Sequence, residues 1–493
     1  KKIAIFDVEN DIHEFKNFRF HSHPFNQISG GHLNIVEFMT DTHPVRNYRE
    51  ASDYIKRVEK FNEIFTADLL WLEEQKKQGI FAPQFVFDHV IRQLKELLAY
   101  EDKDNPLMQV FSRKVDALKL DLEKVTELKS DLSKVIASDV KLGFQSVLDY
   151  MESNYENANQ HHGVWSLPNG EGYYAARLRS YTTTNYTAEE IHQIGLDEVA
   201  RIHEEIYTIM ETVAFEGTLQ EFFDFMRTDP QFYYPQSDKG RQMYLDQVNV
   251  VVDTLSNRIE ELFYGLPSIP LIVKAVEPYR EASAGIAFYN RGQADGSRPG
   301  IYYANLYNMQ DMPIYKLENL AYHEAIPGHH MQIAIALEVK GMPNFRKYGG
   351  YSVFSEGWAL YSETLPKEIG LYEDPYSDFG RLSGELWRAC RLVVDTGIHH
   401  YRWTREEGID YYMNNTANPE GDCVGMVERH IVWPGQAVSY KIGMLKIQEL
   451  RTYAESTLGD TFSLQGFHDV VLKNGGVSMD ILQDIVYQWV DNQ

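Results

Sequence analysis

Apolar residues recur at three- and four-residue intervals through most of this chain, the spacing that lines one face of an α-helix. The pattern is continuous from about 46 to 156. Within it "KVDALKLDLEKVTELKSDLSKVIASDV" (114–140) sets apolar residues between charges, as an amphipathic surface helix does. Residues 1–45 are instead expected to be an irregular leading segment, because His, Asn, Pro and Gly crowd the stretch from 10 onward. "NGEGYYAARLRSYTTTNYT" (169–187) predicts a break between helices, and "GEGYYA" within it reads as a turn. Thr187 and Glu190 then form a capping-box pair ahead of another amphipathic helix, and a further helix is expected over 240–264.

At 265 the period changes. "GLPSIPLIVKAVEP", "AGIAFYN" and "PGIYYANLYN" are short β-rich runs punctuated by Pro, Gly and Asp, and they predict a small sheet over 265–305. "PGIYYANL" reads as an edge strand able to bond an extended peptide, or more plainly as a buried strand. "DGSRPG" is a loop over a site or a hairpin connection. Helices return at 316–338, 351–364, 378–402, 404–414, 421–432 and 436–457. The expected fold is mainly α, with one small sheet directly before a histidine-rich helix. The expected regions are 1–45, a helical part over 46–264, and a site-bearing part over 265–493, the last two forming one continuous body.

Composition narrows what such a body can do. A chain of 493 residues that is 43% hydrophobic can bury a sizeable core. The formal net charge of -25 opposes a phosphate backbone, which argues against nucleic-acid partners. Two cysteines, Cys390 and Cys423, do not make a disulfide framework. No apolar run approaches the ~18 residues of a transmembrane segment. The opening "KKIAIFDVEN" has neither an initiator methionine nor a signal-peptide core, so a trimmed chain is expected, any export signal already removed, with a cytoplasmic chain as the alternative. Composition leaves oligomeric state open.

The chemistry concentrates in "AYHEAIPGHHMQ" (321–332). His-Glu also occurs at His13-Glu14 and His203-Glu204, with no further histidine in the next seven positions; only His323-Glu324 gathers more. In a helix, positions i and i+4 lie about 40° apart on one face, which is how H-E-x-x-H offers two imidazoles to one zinc. Here the fifth position is Pro327, which cannot ligate and lacks the N–H that the carbonyl of His323 would accept. A widened turn at Pro327-Gly328 would bring His329 into the vacated place. His330 is the competitor: on an unbroken helix it lies on the correct face but about 10.5 Å farther along, and it otherwise supports a ligating group or contacts substrate.

A third ligand is offered by "YSVFSEGWALYSE" (351–363), where Glu356 opens a helix and Glu363 follows seven residues later on the same face. Two histidines, one glutamate and a water make a catalytic zinc set, with Glu324 as general base. The plainer reading is a core helix with an incidental histidine pair. Tyr440 and His399 are candidates to stabilise an oxyanion. Arg391 could grip a substrate carboxylate, or pair structurally with Asp395 four residues on. Asp395 could instead orient a ligating imidazole. Neither a nucleophile elbow nor a phosphate-binding loop is present.

The run "HEAIPGHHMQ", followed by "FSEGWALYSE", "RLVVDTGIHHYRWTREEGIDYYM" and "IVWPGQAVSYKIG", resembles the bacterial family called domain of unknown function 885, over most of the chain. That family in turn resembles the gluzincin metallopeptidases, in particular the thimet oligopeptidase and carboxypeptidase Taq groups. The resemblance implies a large helical body with a deep cleft, His323, His329 and Glu356 as zinc ligands, and Glu324 as base. It also implies export or lipid anchoring in many members. The expected function is a zinc-dependent hydrolase of short peptides. The alternatives are a metal-dependent hydrolase of a non-peptide amide or ester, and a non-catalytic peptide-binding protein with a structural metal.

Overall fold

Threonine–glutamate pairs start three of the helices. At Thr187/Glu190, Thr218/Glu221 and Thr404/Glu407 the threonine side chain accepts from the glutamate N–H, and the glutamate side chain accepts from the threonine N–H. Two otherwise orphaned donors are satisfied at each end, so the helix boundary is fixed locally. The structure, a computed structural model, describes residues 2–278, 281 and 284–493. It is mainly helical with one small sheet.

Three expectations about local structure are corrected. The leading segment holds a helix over Lys2–Asn17, with Ile5, Val8, Ile12 and Phe15 at helical spacing, and another over Gly31–Glu37. The run 114–140 is divided: one helix ends at Asp116, the chain turns through Lys119 at a φ of 49°, and the next covers Leu122–Val135. The stretch beginning "GEGYYA" is a helix, Gly170–Thr182. Its glycines lie in the first turn, where they weaken a helix least.

The chain divides into two compact units, residues 13–173 and residues 1–12 with 174–493. The first is helical throughout, and the second carries the sheet and the histidine motif. Residues 174–264 therefore belong with the sheet and the motif, and the division falls near 173 instead of 264. The reason is packing: α1 (Ala188–Thr212) lies along a long helix near the C-terminal end, with Gly195 set against Leu392 and Val393.

The sheet has strand order β1-β3-β2, with β1 (Leu271–Ala275) parallel and β2 (Ala287–Asn290) antiparallel to β3 (Gly300–Ala304). The strand of "PGIYYANL" is thus central and buried, and its backbone is already paired on both sides. The segment containing "DGSRPG" connects the β2–β3 hairpin.

Five more helices frame the site: α2 (Leu317–Glu324), α3 (His329–Glu338), α4 (Ser352–Ser362), α5 (Pro375–His399) and α6 (Ser439–Leu458). α4 and α6 run in the same direction, Ser352 meeting Ser439 at one end and Tyr361 meeting Arg451 at the other. Their seam is backbone to backbone, since a Cβ on Gly357 would stand 2.5 Å from the Gly443 Cα. On the remaining faces of α4, Val353, Phe354, Trp358 and Leu360 are buried. Each contributes roughly 1.5–3 kcal/mol of apolar burial, which holds the neighbouring Glu356 in place.

Candidate metal centre

The histidine motif does not form one helix over 316–338 with a widened turn. The chain leaves helical geometry at Ala325 (φ -100°, ψ -108°) and resumes after Gly328 (φ -78°, ψ -129°), so α2 and α3 are separate helices. Pro327 has no N–H to continue the ladder, and its carbonyl accepts from the Trp358 indole at 2.9 Å. Gly328 is required by space: a Cβ there would stand 1.9 Å from the His323 carbonyl oxygen.

This interruption brings His323, the penultimate residue of α2, against His329, the first of α3. Their rings are 4.8 Å apart at 89°. Glu356 on α4 reaches between them, with Oε2 3.7 Å from His323 Nε2 and 3.4 Å from His329 Nε2. A tetrahedral ion with arms of 2.0–2.2 Å has ligand–ligand edges of about 3.3–3.6 Å, so this donor set fits a zinc-sized cation. Glu324 joins the same group, one ligand atom from each of His323, Glu324 and His329 lying within 4.8 Å of the others.

The electrostatics match that geometry. Burial works against a charge on His323, but hydrogen bonds to Glu356 and Glu363 overcome it and push the imidazole up to about 9. Burial would likewise raise the Glu356 carboxyl, yet the His329 and His323 imidazoles hold it well below the usual carboxylate range. The centre favours positive charge, and a cation taking His323 Nε2 has to displace a proton.

Glu363 completes the support. Its Oε1 is 2.6 Å from His323 Nδ1, and Asn319 Nδ2 donates to its Oε2 at 3.0 Å. The Tyr372 hydroxyl donates to its backbone carbonyl. The sequence shows Glu363 on the same face as Glu356, but nothing in that spacing says that it meets His323. Asn319 carries no sequence signal at all.

Glu324 is buried at 7% exposure, and its Oε2 is buried with no hydrogen-bond partner. A desolvated carboxylate oxygen without a donor is costly, and such groups mark functional sites. Its charge reaches the buried Tyr302 on β3, whose hydroxyl burial raises well above its ordinary range, with Tyr244 and Glu324 adding to the effect.

The other candidates fall elsewhere. His330 is 2% exposed, its Nδ1 meets the Tyr289 hydroxyl at 3.1 Å, and burial lowers its pKa to about 4 despite a bond with the Ile269 backbone. It ties α3 to the sheet. His399 is turned into a buried polar group, with Nε2 donating to the His430 carbonyl at 2.9 Å and its ring against Tyr174. Its polar contact is thus made within that group and not with the histidine motif. Asp395 belongs to that group, bonded to Tyr174, His430 and the Gly435 N–H, so it neither pairs with Arg391 nor orients a motif histidine. Tyr440 is half-buried on the first turn of α6, its ring under the Arg391 guanidinium at 4.4 Å.

The pattern of the family described as "Bacterial protein of unknown function (DUF885)" matches residues 2–486. The chain belongs to the DUF885 family. A crystal structure described as a "putative lipoprotein" from Colwellia psychrerythraea is 37% identical, with a TM-score of 0.91 over 96% of this chain and 81% of that one. A second structure, a "putative lipoprotein of unknown function" from Shewanella oneidensis, shares the fold at 16% identity. Its TM-score is 0.74, over 97% of this chain and 86% of that one. No curated protein matches this DUF885 chain. No described helix is long and apolar enough to cross a membrane.

Proposed function

We propose that the chain is a zinc-dependent hydrolase that cleaves short peptides. The observation that carries this reading is the convergence of His323 Nε2, His329 Nε2 and Glu356 Oε2 beside a buried Glu324 oxygen with no partner. Two histidines and one glutamate leave a coordination position open, as catalytic zinc sites do and structural ones do not. The likeness of "HEAIPGHHMQ" and "FSEGWALYSE" to the gluzincin peptidases supports the same reading.

Zinc, when bound, supplies Lewis acidity that makes a water more acidic and polarises a carbonyl. Glu324 takes the proton of the attacking water and delivers it to the departing amine nitrogen. Glu363 fixes the His323 tautomer by accepting from Nδ1, which leaves Nε2 facing the centre. The description of the Colwellia relative as a lipoprotein supports a location outside the cytoplasm.

The test combines metal analysis of protein purified without added zinc with digestion of a peptide library. Expected are about one zinc per chain, chelator-sensitive cleavage, and a Glu324→Gln variant that keeps its metal but loses roughly 10²–10⁴-fold in rate. Metal-free protein that still cleaves, or an undiminished Glu324→Gln variant, would overturn the reading.

A further inference from the structure

Arg391 on α5 is 6% exposed, and its Nε and Nη1 atoms are buried with no hydrogen-bond partner. Its neighbours do not neutralise it. Arg388 lies one turn earlier, bonded to the Gly384 carbonyl with its own Nε buried and unpartnered. Arg429 bonds the Gln436 side chain, and its Nε is likewise unpartnered. Among the described residues none of the three has an ion pair, in a chain whose 72 acidic residues outnumber its 47 lysines and arginines. Burial, together with the like charges of Arg388 and Arg429, pulls the Arg391 pKa below the usual range, against the raising effect of Tyr440 and Tyr412. Arginine cannot shed its proton, so an uncompensated guanidinium here is costly unless an anion joins it.

The place of Arg391 relative to the metal centre follows from two contacts. Tyr440, beneath its guanidinium, follows Ser439, whose hydroxyl is 2.9 Å from that of Ser352, one helical turn before Glu356. On α5, Gly384 faces Asn319 and Glu363, the pair that holds His323. Arg391 is seven residues farther along, about 10.5 Å of helix.

We infer that Arg391, flanked by Arg388 and Arg429 and seated on Tyr440, is a carboxylate subsite that takes a negatively charged group of the substrate. The inference rests on the hydrolase reading above. The carboxylate is either the free C-terminus or an acidic side chain; the guanidinium fork suits both.

The test is steady-state cleavage by the metal-loaded protein of four otherwise identical short peptides: free acid or C-terminal amide, each with glutamate or glutamine at the positions past the scissile bond. Preference for the free acid regardless of the side chain assigns the terminus, and preference for glutamate in the amide assigns the side chain. Arg391→Gln is expected to raise KM for the preferred peptide about 10–100-fold with little change in kcat, while the neutral peptide is unaffected. Arg391→Lys, which keeps the charge and loses the fork, recovers part of the loss. Retained metal content in both variants guards against misfolding, and Arg429→Gln, at a neighbouring position, supplies a second variant with the same expected direction. Cleavage of all four peptides alike, or a preference unchanged by these variants, would overturn the subsite and leave the hydrolase standing. No cleavage of any peptide would overturn both.

Discussion

Glu363 Oε1 lies 2.6 Å from His323 Nδ1, a carboxylate–imidazole pair buried on both sides. Such a partner sets the tautomer and orientation of an imidazole, and its removal typically costs 10–100-fold in metal affinity. Glu363→Gln is therefore expected to weaken zinc binding by about that factor while retaining the fold. Glu356→Ala should weaken it far more. Competition with a chromophoric chelator separates the two, and equal losses would place Glu363 among the direct ligands.

His329 and His330 are adjacent in sequence and opposite in consequence. His329→Ala should abolish metal binding. His330→Ala should keep the metal and lower stability by about 1–3 kcal/mol, because it leaves the Tyr289 hydroxyl without its imidazole and opens space beside the sheet. Metal content and urea midpoints of the two variants check this, and metal loss from His330→Ala alone would contradict the placement of α3.

Gly328→Ala tests the break between the helices. The added methyl would need the space of the His323 and Tyr322 carbonyl oxygens, at 1.9 and 2.4 Å, and both belong to backbone. A loss of about 3 kcal/mol and a displaced His323 are expected, so stability and zinc content should fall together. A variant of native stability would show that the backbone yields there.

The last expectation concerns acid stability, away from the metal. Glu385 is buried against Lys441 at 2.6 Å, with Arg201 and Arg381 alongside. Burial opposes its charge, but the Lys441 and Arg201 charges prevail and lower its pKa to about 2. A carboxylate with a depressed folded pKa adds stability above its unfolded pKa and loses it as pH falls toward the folded value. The window here runs from about 4.5 down to about 2, and the contribution is roughly 3 kcal/mol at about 1.4 kcal/mol per pKa unit. Urea midpoints between pH 6 and pH 3 should decline less steeply in Glu385→Gln than in the parent. That variant should also be weaker at neutral pH, since the buried Lys441 then keeps only Glu198 as an ion-pair partner.

Much of this was legible in the sequence because local rules determine it. Capping threonines and apolar spacing set the helices after 187, and the Pro-Gly pair at 327–328 marked the interruption between the two histidines. The helix at Lys2–Asn17 was obscured by the irregular composition that follows it. The 114–140 run hid its turn because leucines at 118, 120 and 122 carry the apolar spacing across it. Arg391 and Asp395 have the spacing of an ion pair, yet Asp395 is taken by Tyr174, His430 and Gly435, partners from distant parts of the chain. His399 could not be separated from the motif histidines by residue type, since only its burial and its bond to the His430 carbonyl do so. What a side chain faces across a helix seam is a property of the packed unit, and spacing along one strand of sequence does not carry it.

Because Ala325–Gly328 separates α2 from α3, the gap between the two imidazoles is not dictated by helical pitch. No continuous hydrogen-bond ladder joins the two helices across that segment. An ion gripped by both would act as a rivet across that joint, so loading with metal should slow amide exchange along both segments, including residues remote from any ligand.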